Sequence, residues 1–273
     1  MTSLKKFDIY DCFFSGGRDS ALTCYIAKKV GDSLNIPVRL IHVDTGIYIP
    51  QTREYVKEYA NWLGTELKII KTSYDYFEYV KKYGYPDIFR RRWCWRLLKQ
   101  EPLYQFRLDE IKEEVNSLWI LGIRRDESLF RLKNYGELNN TLHFAKIKKL
   151  HVIEWLPILF LNVKQLETLI QKFQIPRNEV WEKAGTSGEC LCLAGTTKKK
   201  LESIFLNYPE VAKKFHDFDK NITPRSNSKN AFRPPALINE KRLYEFIEEL
   251  DKKPKQKSII EYFSCQGSCM MLK

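Results

Sequence analysis

The feature that most constrains this chain is a repeated switch between strand-like and helix-like spacing of apolar residues. FDIYDCFF (7–14) is a nearly continuous apolar run, and in DSALTCYIAKKV (19–30) the apolar positions recur at three and four residues. PVRLIHVDTG (37–46) gives a second strand ending in an acidic-glycine turn. TREYVKEYANWLG (52–64) gives a helix closed by Gly64, and LKIIKT (67–72) a third strand. RWCWRLLKQEPLYQFRLDEIKEEV (92–115) is mostly helical, with Pro102 opening its second part, and SLWILGI (117–123) is a fourth strand. Another extended stretch lies within 143–159, followed by the helix NVKQLETLIQKF (162–173). Such alternation predicts an α/β, Rossmann-like fold, a parallel sheet with helices on both faces.

The pattern breaks near residue 220. NITPRSNSKNAFRPP (221–235) is rich in Pro, Ser and Asn and reads as a linker or mobile loop. We therefore expect an α/β nucleotide-binding domain over 1–220. Residues 221–273 form a linker and C-terminal extension, with a helix near 239–251 and Cys265 and Cys269 at its end. No stretch reaches the roughly 18 apolar residues of a membrane helix. MTSLKKFDIYD lacks the apolar core of a signal peptide, so no membrane partner and a cytoplasmic location are expected. The formal charge of +12 favours a polyanionic partner or a phosphate-rich substrate; a solubilising or thermophilic lysine surface is the alternative.

In open α/β sheets ligands bind beyond the carboxyl ends of the strands. Ser15 to Ser20, Asp44 to Gly46, Cys94 and Gly122 to Ser128 all fall there in this reading. A glycine turn at a helix N-terminus offers unpaired N–H groups and the positive end of the helix dipole. Gly16 and Gly17 let the backbone approach a phosphate, while Ser15 and Ser20 add hydroxyls. The stretch has neither the Walker spacing nor the G-x-G-x-x-G of the dinucleotide fold. Its alternative is a plain turn capped by Asp19.

Of the seven cysteines, Cys12 and Cys24 read as small core residues. Cys94, Cys190, Cys192, Cys265 and Cys269 are candidates for metal or catalysis. Thiolates in fours hold iron–sulfur clusters or Zn²⁺. A [4Fe–4S] cluster is the first expectation, with zinc or incidental buried thiols as alternatives. His42, His143, His151 and His216 have no ligand spacing and are expected to be structural or exposed. Trp93, Trp95, Tyr104 and Phe106 are expected in the core and pocket wall.

Several of these segments, taken in order, resemble a known family. Ser15-Gly16-Gly17-Arg18-Asp19-Ser20 resembles the SGGxDS pyrophosphate loop of the adenine nucleotide α-hydrolase superfamily. HVDTGIYIPQTREYV (42–56), RRWCWRLLKQEPL (91–103), LGIRRDESLFR (121–131) and the stretch from IEWLPI to GECLC (153–192) resemble its phosphoadenosine-phosphosulfate (PAPS) reductase group. The likeness covers about 7 to 215. It implies that Ser15, Gly16, Gly17, Asp19, Ser20, Asp44, Gly122 and Arg124 bind an adenine nucleotide, ATP foremost, with Asp19 and Arg125 as catalytic side chains. Asp19 and Asp44 would place Mg²⁺, and Arg124 and Arg125 would hold phosphate; a turn-forming Asp44, or an Arg125 paired with Asp126 or Glu127, are the alternatives.

The resemblance implies an enzyme that adenylates an acceptor, releases pyrophosphate and takes part in sulfur transfer, with nucleic acid as a candidate acceptor. A sulfonucleotide reductase is the alternative. That class usually carries an S-x-S-x-G loop and a C-terminal Glu-Cys-Gly-x-His, whereas this tail reads Ser264-Cys265-Gln266-Gly267-Ser268-Cys269. A non-catalytic nucleic-acid or partner-binding protein with a structural metal is the third reading, and a homodimer is left open.

Overall fold

The computed structural model describes residues 4–89, 92–138, 140–223, 231–237 and 240–252. Cys265 and Cys269 lie outside the described residues, as do Arg90 and Arg91.

Six strands form one sheet: β1 (Ile9–Phe13), β2 (Val38–Asp44), β3 (Glu66–Lys71), β4 (Ser117–Leu121), β5 (Leu142–Ile147) and β6 (Leu150–Trp155). Their order is β3-β2-β1-β4-β6-β5. All neighbours are parallel except β5 and β6, which form an antiparallel hairpin at the edge. The four strands read from the sequence all occur. The extended stretch at 143–159 departs from a single strand, because Lys148, at φ 53°, turns the chain back on itself. The sheet is thus mostly parallel, with one reversed edge strand. The switch of strand order between β1 and β4 opens a crevice at their carboxyl ends.

Helices α1 (Arg18–Leu34), α2 (Pro50–Leu63) and α7 (Val163–Lys172) share a core with β1, in which Tyr10, Leu22, Val56, Tyr59 and Leu166 are buried. Each such side chain contributes on the order of 1.5–3 kcal/mol by leaving water. Cys12 and Cys24 meet within this core at 2.8 Å, the small-residue role expected of them. The opposite face packs on α5 (Glu101–Lys112), with Phe106 among Ile41, Trp119, Ile147 and Val152. Between α4 (Trp93–Trp95) and α5 the chain makes a π turn, Arg96–Gln100. Pro102 has no N–H to complete an α-helical ladder at this point, which suits a local change of winding.

A second core lies beside the sheet. It combines α3 (Tyr76–Tyr83), α4, α8 (Glu179–Ala184), α9 (Lys198–Asn207), α10 (Pro209–Asn221) and α11 (Leu243–Lys252) around Tyr85, Leu201, Phe215 and Phe246. Short α6 (Leu129–Tyr135) precedes the hairpin. Leu243, Phe246, Ile247 and Leu250 of α11 belong to this core, and the Asp219 carboxylate accepts from Tyr85 Oη at 3.0 Å and from the Tyr244 N–H at 3.1 Å. The last part of the expected linker is packed as well: Ala231 and Phe232 are buried, and the Ala231 carbonyl accepts from the Tyr85 N–H at 2.7 Å. Polar composition hid this, since the buried Ile222, Ala231 and Phe232 are scattered among Ser, Asn and Pro. Among the described residues no helix is long and apolar enough to cross a membrane.

The end of β4 touches the start of α1 through Gly122. A Cβ there would meet the Ser20 nitrogen at 2.8 Å and the Asp19 oxygen at 2.9 Å, both backbone atoms that cannot swing aside. Gly122→Ala should therefore push strand and helix apart and lower stability by about 1–3 kcal/mol. Urea denaturation checks this, and an unchanged midpoint would refute the close approach.

Candidate active-site cleft

The loop after β1 is held by its own hydroxyls. Ser20 Oγ donates to the Gly17 carbonyl at 2.9 Å and lies 3.1 Å from Ser15 Oγ, while the Gly17 N–H donates to Ser15 Oγ at 3.3 Å. Gly16 stands at φ +77°, a left-handed conformation that suits glycine. Gly17 is the N-cap of α1 and supplies no side-chain cap, so the first turn of a 17-residue helix is not closed by a side chain.

Two more segments lean on this loop. Asn178 Nδ2 donates to the Gly16 carbonyl at 2.9 Å and lies 3.1 Å from the Ser187 carbonyl, which also accepts from Thr52 Oγ1 at 2.7 Å. The Asp44–Ile49 turn is laced to the same stretch. The Ile49 N–H donates to Gly188 O, the Leu191 N–H donates to Ile47 O, and Thr45 Oγ1 lies 3.2 Å from Glu189 O. Segments far apart in sequence thus form one rigid floor.

Above it lies a cleft of about 570 Å³, lined by Ser15, Ser20 and Gly122 at the strand ends. Arg92, Trp95, Lys99 and Leu103 line it from the α4–α5 helix, and Arg131, His143 and Glu154 from the far side. Arg92, Trp95, Lys99 and Leu103 follow a spacing of three and four, one helical face, which the sequence displays once the cleft side is known. Lys99 pairs with Glu189 at 2.8 Å. Burial opposes its charge, but Glu189 and the nearby thiols hold its ammonium well above the ordinary lysine range.

Cys94, Cys190 and Cys192 come together beside this Lys99–Glu189 pair. Their shifts describe a chain of S–H donors. Cys192 donates to Cys94, which lowers the Cys94 thiol against the effect of burial. Cys190 donates to Cys192 and is itself raised, by that bond and by burial. Cys192 is lowered by Cys190, yet its bond to Cys94 and its burial push it up to about 11. Cys94 is therefore the first of the three to ionise. Cys265 and Cys269, expected alongside them, lie outside the described residues.

The expected charged groups are placed differently from one another. Arg124 is buried and engaged by Asp19 and Asp126, and Asp44 is engaged by Arg53 while accepting from the Gly46 N–H at 3.0 Å. Each of the two carboxylates expected to place Mg²⁺ already has an arginine. Among the described residues no group of three or more His, Cys, Asp or Glu side chains is set to hold a metal ion. The carboxylates do not fit a preformed Mg²⁺ site. The three thiols are soft donors of the kind a thiophilic metal or cluster takes, but among the described residues they are not set as a coordination cage. Arg125 takes neither acidic neighbour as partner: its guanidinium lies 4.9 Å from the centre of the Phe160 ring, and Glu127 instead pairs with Arg131.

Sequence reasoning missed Lys99, Arg131, Asn178, and the pair His143–Glu154. His143 Nε2 lies 3.2 Å from Glu154 Oε2. Burial pushes Glu154 up to about 7, against the lowering by Arg131, and burial lowers the His143 imidazole. The two residues stand opposite in the β5–β6 register, a relation that only the hairpin reveals.

Among known proteins, an uncharacterized protein of Methanocaldococcus jannaschii is 26% identical over 246 residues, which cover 88% of this chain and 55% of that one. The tRNA-5-methyluridine(54) 2-sulfurtransferase of Pyrococcus horikoshii is 31% identical over 80 residues, 29% of this chain and 23% of that one. The chain spans about half the length, or less, of the curated relatives it matches. The crystal structure of PAPS reductase from Candida auris aligns at a TM-score of 0.47 and 20% identity, covering 66% of this chain and 80% of that one. The family model for the phosphoadenosine phosphosulfate reductase domain matches residues 11–218, from the middle of β1 to α10, and the chain belongs to that family, whose members are enzymes acting on nucleotides and sulfur.

Proposed function

We propose that this protein is an ATP-using enzyme that adenylates an acceptor and takes part in sulfur transfer. The observation that carries the reading is that the Ser15–Ser20 loop and the Lys99–Glu189 pair line one cleft, with the thiols gathered beside that pair rather than on the cleft wall. The loop would take the β- and γ-phosphates on the N-terminus of α1, with Gly17 leaving room for them. Lys99, Arg92 and Arg131 line the cleft and would neutralise charge on the triphosphate as pyrophosphate leaves. An oxygen of the acceptor attacks the α-phosphorus, and the bond from that phosphorus to pyrophosphate breaks. Asp19 would act through Arg124, holding it beside the loop, while Arg125 flanks the same turn.

Nucleic acid is the favoured acceptor class, from the +12 charge and the similarity over 80 residues to a tRNA sulfurtransferase. Cys94, Cys190 and Cys192 would hold a [4Fe–4S] cluster, with the fourth place left to Cys265, Cys269 or a sulfur ligand. Such a cluster supplies a site where sulfur can be bound. The chain's own contribution is to hold the thiols in one plug of protein beside the nucleotide and to ionise Cys94 first. A sulfonucleotide reductase would use the same loop on a different nucleotide, so nucleotide preference separates the two readings.

A Cβ on Gly17 would lie 3.3 Å from Ser15 Oγ and 3.5 Å from Ser187 Cβ, tight but tolerable. Gly17→Ala should therefore fold normally while its methyl occupies the phosphate cradle. ATP affinity by calorimetry is expected to fall about 10-fold or more, a loss of about 1.4 kcal/mol, with little change in Tm. Undiminished ATP binding by this variant would remove the loop from the site.

Iron and acid-labile sulfide in anaerobically purified protein test the thiols. About four irons per chain with a broad band near 400 nm are expected for wild type. Cys94→Ala and Cys192→Ala should lose both together. Bound zinc without the band would make the site structural, and neither metal would leave the thiols without this role.

A further inference from the structure

We propose that an apolar recess off the cleft is a binding site for one base of a single-stranded nucleic acid. This rests on the reading of nucleic acid as the acceptor above. The recess measures about 110 Å³. It shares Phe13, Trp95, Leu103, Leu121, Lys146 and Glu154 with the cleft, so the two are continuous. Phe13 and Leu121 are the last residues of β1 and β4, and the recess begins where those strands deliver the Ser15–Ser20 loop and Gly122. Its inner part is formed by Trp119, Ile147 and Val152, which are buried and do not line the cleft.

The walls suit a flat ring. Phe13 and Trp119 stand with ring centroids 4.8 Å apart, and Trp95 at the cleft side is 43% exposed. An indole left in water beside an apolar hole gains free energy when another ring covers it. Aromatic side chains in such a place accept any base, because every base has a π-face. The polar groups fit a base edge as well. Gln100 and Lys146 line the recess, and among the described residues neither side chain has a hydrogen bond or an ion pair. A carboxamide donates and accepts at once, which matches the adjacent donor and acceptor on the edge of a base. An aliphatic ligand would leave Gln100 without a partner.

Charge favours a strand over a lone nucleotide. The Arg92 guanidinium lies 5.6 Å from the centre of the Trp95 ring, while Lys146 of β5 and Arg131 of α6 line the cleft from the hairpin side. Phosphates before and after an inserted base would meet positive charge on both sides. A base arriving with its own backbone needs such flanks, and the adenine of a nucleotide held at the loop does not. A base inside a duplex cannot enter a recess without leaving its stack, so the strand is single or the base is flipped out.

The test compares two short single strands of equal length, oligouridine and an abasic phosphodiester, by fluorescence anisotropy at one fixed salt concentration. AMPPNP affinity is the control for the loop. Wild type is expected to bind oligouridine about 10-fold or more tighter than the abasic strand. Trp95→Ala should bring that ratio close to one, and Gln100→Ala should reduce it, both with AMPPNP affinity unchanged. Disturbing Arg92 weakens both strands alike, so the ratio reports the base alone. If Trp95→Ala does not fold, Gln100→Ala takes its place. Equal binding of the two strands by wild type, or a wild-type ratio in the deciding variant, would overturn the proposal. AMPPNP affinity that falls in these variants would assign the recess to the nucleotide's own adenine and overturn it as well. If wild type binds neither strand, the acceptor reading fails and this inference falls with it. If wild type binds no AMPPNP, the ATP reading fails while the ratio still judges the recess.

Discussion

The side-chain amide of Asn178 is the contact on which the rest of the site depends. Its Nδ2 lies between the carbonyls of Gly16 and Ser187, and its Oδ1 accepts from the Val180 N–H at 3.0 Å as the N-cap of α8. One buried group thereby fixes the Ser15–Ser20 loop, the approach to the cysteine segment and the start of a helix. A loop that must present N–H groups to an anion cannot use all of them on itself, so it needs outside support for its carbonyls. Asn178 gives that support from the carbonyl side and leaves the helix end open.

Rigidity then passes from the loop to the thiols. The Ser187–Leu191 stretch is tied to Thr52, Ile49 and Ile47, and it carries Glu189, whose carboxylate holds Lys99. The ammonium faces the cleft on one side and the thiol chain on the other, so negative charge on a phosphate and on a sulfur is felt by the same group. Lys99 is half-buried, where a charge interacts more strongly than at the surface. Lys99 therefore stands between the cleft and the pair Cys190 and Cys192, and charge on either side acts on the same ammonium.

Much of this was legible in the residues. The strand ends at Ser15 and Gly122 do line the cleft, because strand ends and glycine turns are local signals, whereas the Asp44-Thr45-Gly46 turn lies outside its lining. Cys94, Cys190 and Cys192 were chosen for their chemistry, and the fold brings them together. What stayed hidden depends on register or distant partners. His143 looked idle because its partner is a glutamate 11 positions away on the facing strand, a spacing set by a hairpin and not by a motif. Asn178 carries no sequence signal beyond capping α8. Asp19, Asp44 and Arg124 have the side chains of metal and phosphate ligands, and their engagement with one another or with Arg53 appears only in three dimensions.

Those ion pairs also sort the excess positive charge. Arg124 and Arg53 are neutralised near the loop, and Arg18 is engaged by Glu167 with its guanidinium 4.3 Å from the Trp181 ring centre. These side chains serve as struts, stacked or paired and held in one rotamer. The positive groups that line the cleft, Arg92 and Lys99 on the α4–α5 side and Arg131 of α6 on the other, stand on opposite walls, Lys99 paired with Glu189 and Arg131 with Glu127. An anion set between them would meet positive charge on both sides. The β5–β6 hairpin beyond β4, with parallel β6 next to β4 and reversed β5 at the edge, closes that far wall: a sheet that ended at β4 would leave the cleft open to water on that side.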